Sequence, residues 1–205
     1  MEFAAITPDR LDDLAGLFGA TAITTRCHCT WFLLRDPERT AVWLAGGSRA
    51  CFDRFTIEAP APTGVLAYDG GAAVGWCAVG ARAWYPRLEI SKMWRGGDPD
   101  AWVVTCFFVH RSARRTGLTE ALLDAAVELA AEQGAKVVEG LPRQTGIKTA
   151  STDAYVGFES TFLACGFTEI ERPNDKRVLM RRRLKADGDA ERRGNRGVDA
   201  RESGH

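Results

Sequence analysis

The feature that most constrains the fold of this chain is an apolar segment that runs into a short cationic turn and then into an amphipathic segment. Val103–Val109 carries no charge and is predicted to be a buried strand. The turn after it contains Arg114, Arg115 and Gly117, and apolar residues recur at helical spacing through Leu118–Glu132. A helix start presents unpaired N–H groups and the positive end of the helix dipole, and a glycine there admits a close ligand. The sequence therefore predicts a binding site for the phosphates of a diphosphate-bearing cofactor.

The rest of the pattern predicts one mixed α/β (α+β) domain. Helices are expected from Thr7 or Asp9 to Phe18, over Pro37–Phe55 with a break at Gly46–Gly47, over Leu118–Glu132 and over Phe158–Ala164. Strands are expected at Phe3–Ile6, Val65–Tyr68, Ala73–Val79, Trp102–Val109, Lys136–Glu139, Phe167–Glu171 and Arg177–Leu184. Because strand, helix and strand follow one another over 102–139, those two strands should pair in parallel through a right-handed crossover. Residues 185–205 lack large apolar groups and are expected to form a disordered charged tail, which leaves 1–184 as the folded domain.

Charge and cysteine content exclude several classes of protein. Lysine plus arginine and aspartate plus glutamate each total 27, so no global field favours nucleic acid or an anionic membrane. No signal-peptide pattern or membrane-length apolar run occurs, and a cytoplasmic protein is expected. The six cysteines are too scattered for a disulfide scaffold. Cys27–His28–Cys29 has no second ligand pair nearby, so no metal is expected.

The chain contains neither Gly-x-x-x-x-Gly-Lys-[Ser/Thr] nor Gly-x-Gly-x-x-Gly, which argues against a P-loop and a dinucleotide fold. Val109–Thr119 instead resembles the core motif of the GNAT superfamily of N-acetyltransferases, a strand ending in valine, a turn and [Gln/Arg]-x-x-Gly-x-[Gly/Ala]. Arg114 and Gly117 match at the right spacing, and Thr119 departs from the usual glycine or alanine. Three further segments resemble the family in order: Gly71–Val79, Val138–Pro142, which is similar to a little-characterised bacterial branch, and Cys165–Phe167.

The resemblance implies a mostly antiparallel central sheet with one splayed parallel strand pair, flanked by helices, and acetyl-CoA as co-substrate. The pantetheine arm is expected to pair with the backbone in the gap between the two parallel strands. The pyrophosphate is expected on the backbone N–H groups from Arg115 to Thr119. The implied cofactor-binding residues are Phe107, Phe108, Val109, Arg114, Arg115, Thr116, Gly117, Leu118 and Thr119. The cleft at the thioester would be lined by residues 27–34 and 85–99, where Trp31, Trp84, Tyr85 and Trp94 either form a substrate wall or pack in the core.

The resemblance implies direct attack of a neutral amine on the thioester, assisted by a base and by an acid for the leaving thiolate. Many members carry a tyrosine acid four residues before the glycine of Gly-Phe, and this chain has Phe162 there. Ser160, Tyr155 or a water are the candidate substitutes. Glu139 is the candidate base, at the end of a strand that borders the cleft, and its alternative is a carboxylate that faces solvent or pairs with an arginine. Cys106 has no activating neighbour in sequence, which argues against covalent catalysis.

The leading hypothesis is an N-acetyltransferase that acts on a primary amine of a small molecule or peptide. One alternative is a non-catalytic acyl-CoA-binding regulator, which the phenylalanine at 162 motivates, and another is an interaction module that uses the tail. The sequence does not identify the acceptor. The resemblance is compatible with a homodimer, because many relatives are dimers.

Overall fold

The computed structural model describes residues 1–147 and 150–184, and the predicted tail at 185–205 lies outside the described residues. Seven strands form one sheet, and each predicted strand is present within a few residues of its expected bounds. The strands are β1 (Glu2–Ala5), β2 (Gly64–Asp69), β3 (Ala72–Ala81), β4 (Trp102–Val109), β5 (Val137–Gly140), β6 (Thr168–Asn174) and β7 (Arg177–Arg183).

Helices lie on both faces of the sheet. They are α1 (Leu11–Phe18), α2 (Ala22–Cys27), α3 (Glu38–Leu44), α4 (Ser48–Glu58), α5 (Pro86–Ile90), α6 (Leu118–Glu132) and α7 (Glu159–Ala164). The predicted break at Gly46–Gly47 is confirmed, because the segment expected to be helical over 37–55 divides into α3 and α4, with the chain turning at 45–47 and a second helix starting at Ser48. The predicted first helix begins with a 3-10 turn at Pro8–Arg10. The sequence prediction missed α2 and α5, which are short and lack a long apolar period.

The strand order is β1-β2-β3-β4-β5-β7-β6. Neighbouring strands are antiparallel except for β4 and β5, which pair in parallel and are joined by α6. The mostly antiparallel sheet with one parallel pair confirms the predicted fold class. The parallel pair lies in the middle of the sheet, where helices can cover both of its faces.

Two apolar clusters cover the two faces of the sheet. On one face, α6 buries Leu118, Leu122 and Leu129, the leucines of the predicted stripe, against β2, β3 and β4. On the other face, Phe18 of α1 and Phe52 of α4 pack edge to face on Trp76 of β3. None of the described helices is both long enough and apolar enough to span a bilayer.

Candidate active site

The two parallel strands separate after three paired positions. Pairing between β4 and β5 runs from Trp102 opposite Val138 to Val104 opposite Gly140, whereas β4 continues to Val109. On its other side, β4 changes register with β3, so that Val79 faces Val104, Ala78 faces Cys106, and Thr105 has no partner. A bulge of this kind bends a strand and increases its twist. Thr105 therefore marks the point where β4 turns away from β5 and presents a free edge over residues 105–109.

The turn between β4 and α6 directs main-chain N–H groups outward. Arg115 and Gly117 both have positive φ, at 64° and 79°, which turns the chain sharply into the helix. Two hydrogen bonds hold the turn: the Thr116 hydroxyl donates to the Ala113 carbonyl at 2.8 Å, and Nε of Arg114 donates to the Val109 carbonyl at 3.1 Å.

The N–H groups of residues 115–119, here called the amide cradle, have no hydrogen-bond partner within the described part of the chain. A Cβ on Gly117 would meet no atom within 4 Å, so the space in front of this residue is open. Donors that the fold leaves unsatisfied at a helix start can bind an anion, because the helix dipole makes this end positive.

A cavity of about 180 Å³ opens at the amide cradle. Its walls include six of the nine residues predicted to bind the cofactor: Val109, Arg114, Arg115, Gly117, Leu118 and Thr119. Neither Arg114 nor Arg115 has an ion-pair partner among the described residues, which leaves two cations beside the cavity. Phe107 and Phe108 are buried on opposite faces of the sheet, so their side chains belong to the core.

Two larger cavities lie at the other end of the free edge, on the face opposite α6. One has a volume of about 680 Å³ and the other about 320 Å³. Five residues line both of them: Trp31, Phe32, Thr105, Val156 and Arg177. The four steps along the chain from Thr105 to Val109 span about 13 Å at the rise of a strand. The free edge of β4 therefore connects the amide cradle at one end with a substrate-sized cleft at the other.

Residues 29–158 match the sequence model of the acetyltransferase (GNAT) family, over a span that includes the free edge and the amide cradle. The chain belongs to the GNAT family. No curated protein is similar enough in sequence to be matched.

Solved structures share the GNAT fold at low sequence identity. The GNAT domain of S. lividans PAT has a TM-score of 0.54 at 16% identity, covering 89% of each chain. The PaiA N-acetyltransferase of Thermoplasma acidophilum, solved with coenzyme A, has a TM-score of 0.50 at 9% identity, covering 89% of this chain and 98% of its own. AAC(6')-Iy, solved with the bisubstrate analogue CoA-S-monomethyl-acetylneamine, has a TM-score of 0.50 at 17% identity, covering 83% and 92%.

Glu139 does not lie where the sequence prediction expected a GNAT base. Its side chain is fully buried and lines none of the three cavities described above. Its Oε1 accepts hydrogen bonds from Arg181 at 2.5 and 2.8 Å and from the Asp98 N–H at 3.0 Å, and Oε2 lies 3.7 Å from Nη1 of Arg82. The expected position at the edge of the cleft is wrong, because β5 places this side chain between two guanidinium groups. The geometry matches the alternative reading, a carboxylate paired with arginine.

The other two candidate catalytic residues lie in different surroundings. Ser160 is exposed on α7, where its N–H donates to the Thr145 hydroxyl at 2.9 Å, and it lines none of the three cavities. The expectation that it could replace a tyrosine at the thioester is therefore not supported by its position. Tyr155 lines the 680 Å³ cavity, with its ring 6.3 Å from that of Phe108 on β4. Of the three candidates, Tyr155 alone has its side chain at the cleft.

Phe162 lies in the core, beside the point where the strands separate. It has no exposed surface, and its ring centroid is 4.9 Å from that of Phe167 and 6.1 Å from that of Phe107. The ring lies directly over Gly140, where a Cβ would come within 2.3 Å of its Cε1. Gly140 is thus required for the close approach of α7 to the end of β5, and Phe162 supplies packing there and no proton.

Three thiols line the 680 Å³ cavity: Cys27, Cys29 and Cys106. Burial raises the pKa of Cys27 to about 12. A hydrogen bond with Cys29, together with burial, raises the pKa of Cys106 well above its ordinary value. A nucleophilic thiolate is disfavoured at both positions. Among the described residues, no group of three or more histidine, cysteine or carboxylate side chains could hold a metal ion.

The structure divides the four aromatic residues that the sequence left open between a substrate wall and core packing. Trp31 lines both larger cavities and Trp94 lines the smaller one, whereas Tyr85 is buried and Trp84 packs edge to face on Trp102. The lining residues that the sequence prediction missed include Trp43, Thr105 and Arg177. No local signal could have found them, because they come from distant parts of the chain and only the folded sheet brings them to one cleft.

Proposed function

We propose that the protein transfers the acetyl group of acetyl-CoA to a primary amine of a small molecule or peptide. The observation that carries the proposal is the amide cradle, whose N–H groups have no partner among the described residues. A diphosphate offers several acceptor oxygens and negative charge, which suits unsatisfied donors at the positive end of α6. The Arg114 and Arg115 side chains add charge beside the same cavity.

The free edge of β4 supports binding of the pantetheine arm of acetyl-CoA. Residues 105–109 keep backbone N–H and C=O groups that β5 does not pair. An extended arm containing amide groups can add to such an edge as another strand would. Phe107 and Phe108 would contribute their backbone only, since their side chains are buried in the core. The edge leads from the amide cradle to Thr105, at the start of the two larger cavities.

When bound, acetyl-CoA supplies an acetyl group activated as a thioester. The chain itself has to hold the amine at the cleft, accept a proton from its nitrogen and donate one to the departing thiol. Tyr155 is the candidate donor, because its side chain lines the same 680 Å³ cavity as Thr105 and Cys106. Glu139 has no part in this step, since its carboxylate is engaged by Arg181 and Arg82 away from the cavities.

The test is Gly117→Glu, which places bulk and a negative charge in front of the amide cradle. We expect acetyl-CoA affinity, measured by isothermal titration calorimetry, to fall at least about 100-fold, because a like charge faces the diphosphate. Gly134→Glu is the matched control. Gly134 lies beyond the other end of α6, has the same φ of 79°, and a Cβ there also meets no atom within 4 Å.

The control distinguishes a direct effect on phosphate binding from an effect of backbone strain, since both variants put a glutamate in the left-handed region. Gly134→Glu should bind acetyl-CoA as the unaltered protein does. If the Gly117→Glu variant bound acetyl-CoA as tightly as the unaltered protein, the amide cradle would be excluded as the binding site of the cofactor phosphates.

One observation favours a second candidate function, a non-catalytic acyl-CoA-binding regulator. Phe162 is buried and has no hydroxyl, and neither Glu139 nor Ser160 reaches the cleft, so few acid-base groups remain there. Thiol release measured with a panel of amines separates the two functions. Tight acetyl-CoA binding without turnover on any amine would favour the regulator, and turnover on one of them would exclude it.

A further inference from the structure

The charges around the two larger cavities differ from those of a site for a polycation. Arg26 and Arg177 line the 680 Å³ cavity, and Arg87 and Arg177 line the 320 Å³ cavity. Among the described residues that line either cavity, Asp153 is the one carboxylate, and it lies 3.5 Å from Nη1 of Arg143. A polyamine or an aminoglycoside needs several unpaired carboxylates to hold its ammonium groups. The lining residues instead carry a net positive charge.

Arg177 is the cation at the junction of the two cavities. Arg177 is half-buried, and within the described part of the chain its guanidinium donates one hydrogen bond, from Nη1 to the Leu141 carbonyl at 3.2 Å. No carboxylate of the described residues lies within ion-pair distance of it. Burial, with the nearby Arg143 charge, lowers the pKa of Arg177, and the more distant Asp153 carboxylate opposes this only in part. A partly buried arginine without a direct ion pair gains from binding an anion, because its fork of donors matches a carboxylate in a bidentate way.

The position of Arg177 links this anion site to the reaction. Arg177 lines the same two cavities as Thr105, the bulged residue where β4 leaves β5. An anion held there would lie next to the end of the free edge, and not at the amide cradle on the far side of Val109. The rest of the large cavity is mainly apolar and aromatic, with Phe18, Ile23, Trp31, Trp43 and Tyr155. Its volume lies within the ordinary range of small-molecule pockets, and a substituted amino acid fits inside it.

We propose that the acceptor is an amino acid with a large apolar, preferably aromatic, side chain, and that Arg177 binds its carboxylate. The inference rests on the proposed function, since it names the amine that the acetyl group reaches. The α-amine nitrogen forms a bond to the acetyl carbon, the carbon–sulfur bond breaks, and the proton lost from the nitrogen balances the thiolate released. Because amine and carboxylate share one carbon atom, anchoring the carboxylate at Arg177 positions the amine beside Thr105 and orients the side chain into the large cavity.

Matched acceptor pairs that differ by the carboxylate alone test this assignment. Thiol release is measured with L-phenylalanine and phenethylamine, with L-tryptophan and tryptamine, and with spermidine as a polycation. We expect kcat/KM to be at least about 10-fold higher for the amino acid of each pair, as loss of a charged hydrogen-bonded partner implies. Equal values within the pairs, or a preference for spermidine, would overturn the proposal.

Variants of Arg177 identify the residue responsible. Arg177→Gln should lower kcat/KM for the amino acids by about 10- to 100-fold, mainly through KM, and should lower kcat/KM for phenethylamine by a much smaller factor. Acetyl-CoA affinity should stay the same, because the amide cradle lies at the other end of the free edge. Arg177→Lys, which keeps the charge and loses the fork, should recover part of the loss. Arg54→Gln is the control, since Arg54 is exposed on α4 and lines neither cavity. Unchanged amino-acid kinetics in Arg177→Gln would refute the assignment.

Binding of the expected products separates this inference from the proposed function. N-acetyl-L-phenylalanine and N-acetylphenethylamine are titrated into the protein loaded with coenzyme A. If no amine releases thiol, yet the carboxylate-bearing product binds and Arg177→Gln abolishes its binding, then the acceptor assignment holds and catalysis is what fails. Binding of neither product, or of both equally, overturns the acceptor assignment whether or not acetyl-CoA is bound and turned over.

Discussion

Replacing Glu139 with glutamine separates a structural carboxylate from a catalytic base. The side chain is fully buried, and it is the charge that neutralises Arg181 and Arg82, whose side chains are only 14% and 12% exposed. Glu139→Gln keeps the shape and removes the negative charge, which leaves two largely buried guanidinium groups without a counter-ion. Breaking a buried ion pair by removing one partner costs about 3–5 kcal/mol. For a domain of this size, such a loss lowers Tm by about 6–20 °C.

The assay combines equilibrium urea unfolding and differential scanning calorimetry with thiol-release kinetics. Kinetics are measured at a temperature at which circular dichroism shows that the variant is folded. There, kcat/KM should stay close to that of the unaltered protein, because Glu139 lines none of the cavities. Glu128→Gln, on the exposed face of α6, is the control and should change the free energy of unfolding by less than about 0.5 kcal/mol.

One result would refute this reasoning about Glu139. If Glu139→Gln kept full stability and lost at least about 100-fold in kcat, the carboxylate would have to act as the general base. The sequence prediction would then be right about its role, and the paired geometry would have to open during turnover.

Three further predictions concern single residues of the cleft and its surroundings. Tyr155→Phe should lower kcat by about 100-fold or more while acetyl-CoA affinity stays the same, if its hydroxyl donates the proton; unchanged kcat would exclude it as the acid. Phe162→Tyr should cost about 1–3 kcal/mol of stability in urea unfolding, because the fully enclosed ring over Gly140 leaves no room for a hydroxyl; a stable variant with raised kcat would contradict this packing. Burial lowers the pKa of His28 from 6.5 to about 4, so between these values the unfolded chain binds a proton that the folded protein does not. The free energy of unfolding should therefore fall by up to about 1.4 kcal/mol per pH unit as pH drops through this window. In urea unfolding, His28→Asn should show a shallower dependence of that free energy on pH. Equal pH dependence in the two proteins would rule out this linkage.

The fold could be predicted where its signals are local. The repeat of apolar residues in α6 and the alternation of strand and turn from β2 to β4 give element type and order within a few residues. The rule on crossover connections gives the parallel pairing of β4 and β5. The sequence prediction missed α2 and α5 because no strong local signal marks either helix. The Thr21 side chain caps α2 by accepting a hydrogen bond from the Thr24 N–H, and tertiary contacts support this short helix against its weak propensity.

Only the cofactor-binding half of the candidate site could be predicted from the sequence. The turn from Arg114 to Thr119 is contiguous, and the structure brings five of its six residues to the cavity at the helix start. Glu139 illustrates the opposite case. Its position in sequence indicated a charged residue at the end of a strand, but whether that charge meets solvent, substrate or arginine depends on β7, which pairs Arg181 opposite it. That pairing joins residues 42 positions apart, and no local pattern contains it.

The sequence by itself determined the strand, the cationic turn and the helix with its free amides, because backbone conformation and helix polarity are set by neighbouring residues. Only the tertiary structure decided where β4 leaves β5, because the bulge at Thr105 exists in the pairing with β3 and not in β4 alone. The tertiary structure also decided the chemistry of the acceptor cleft. Trp43, Thr105 and Arg177 meet there because packing of the sheet, and not spacing along the chain, sets the distances between them.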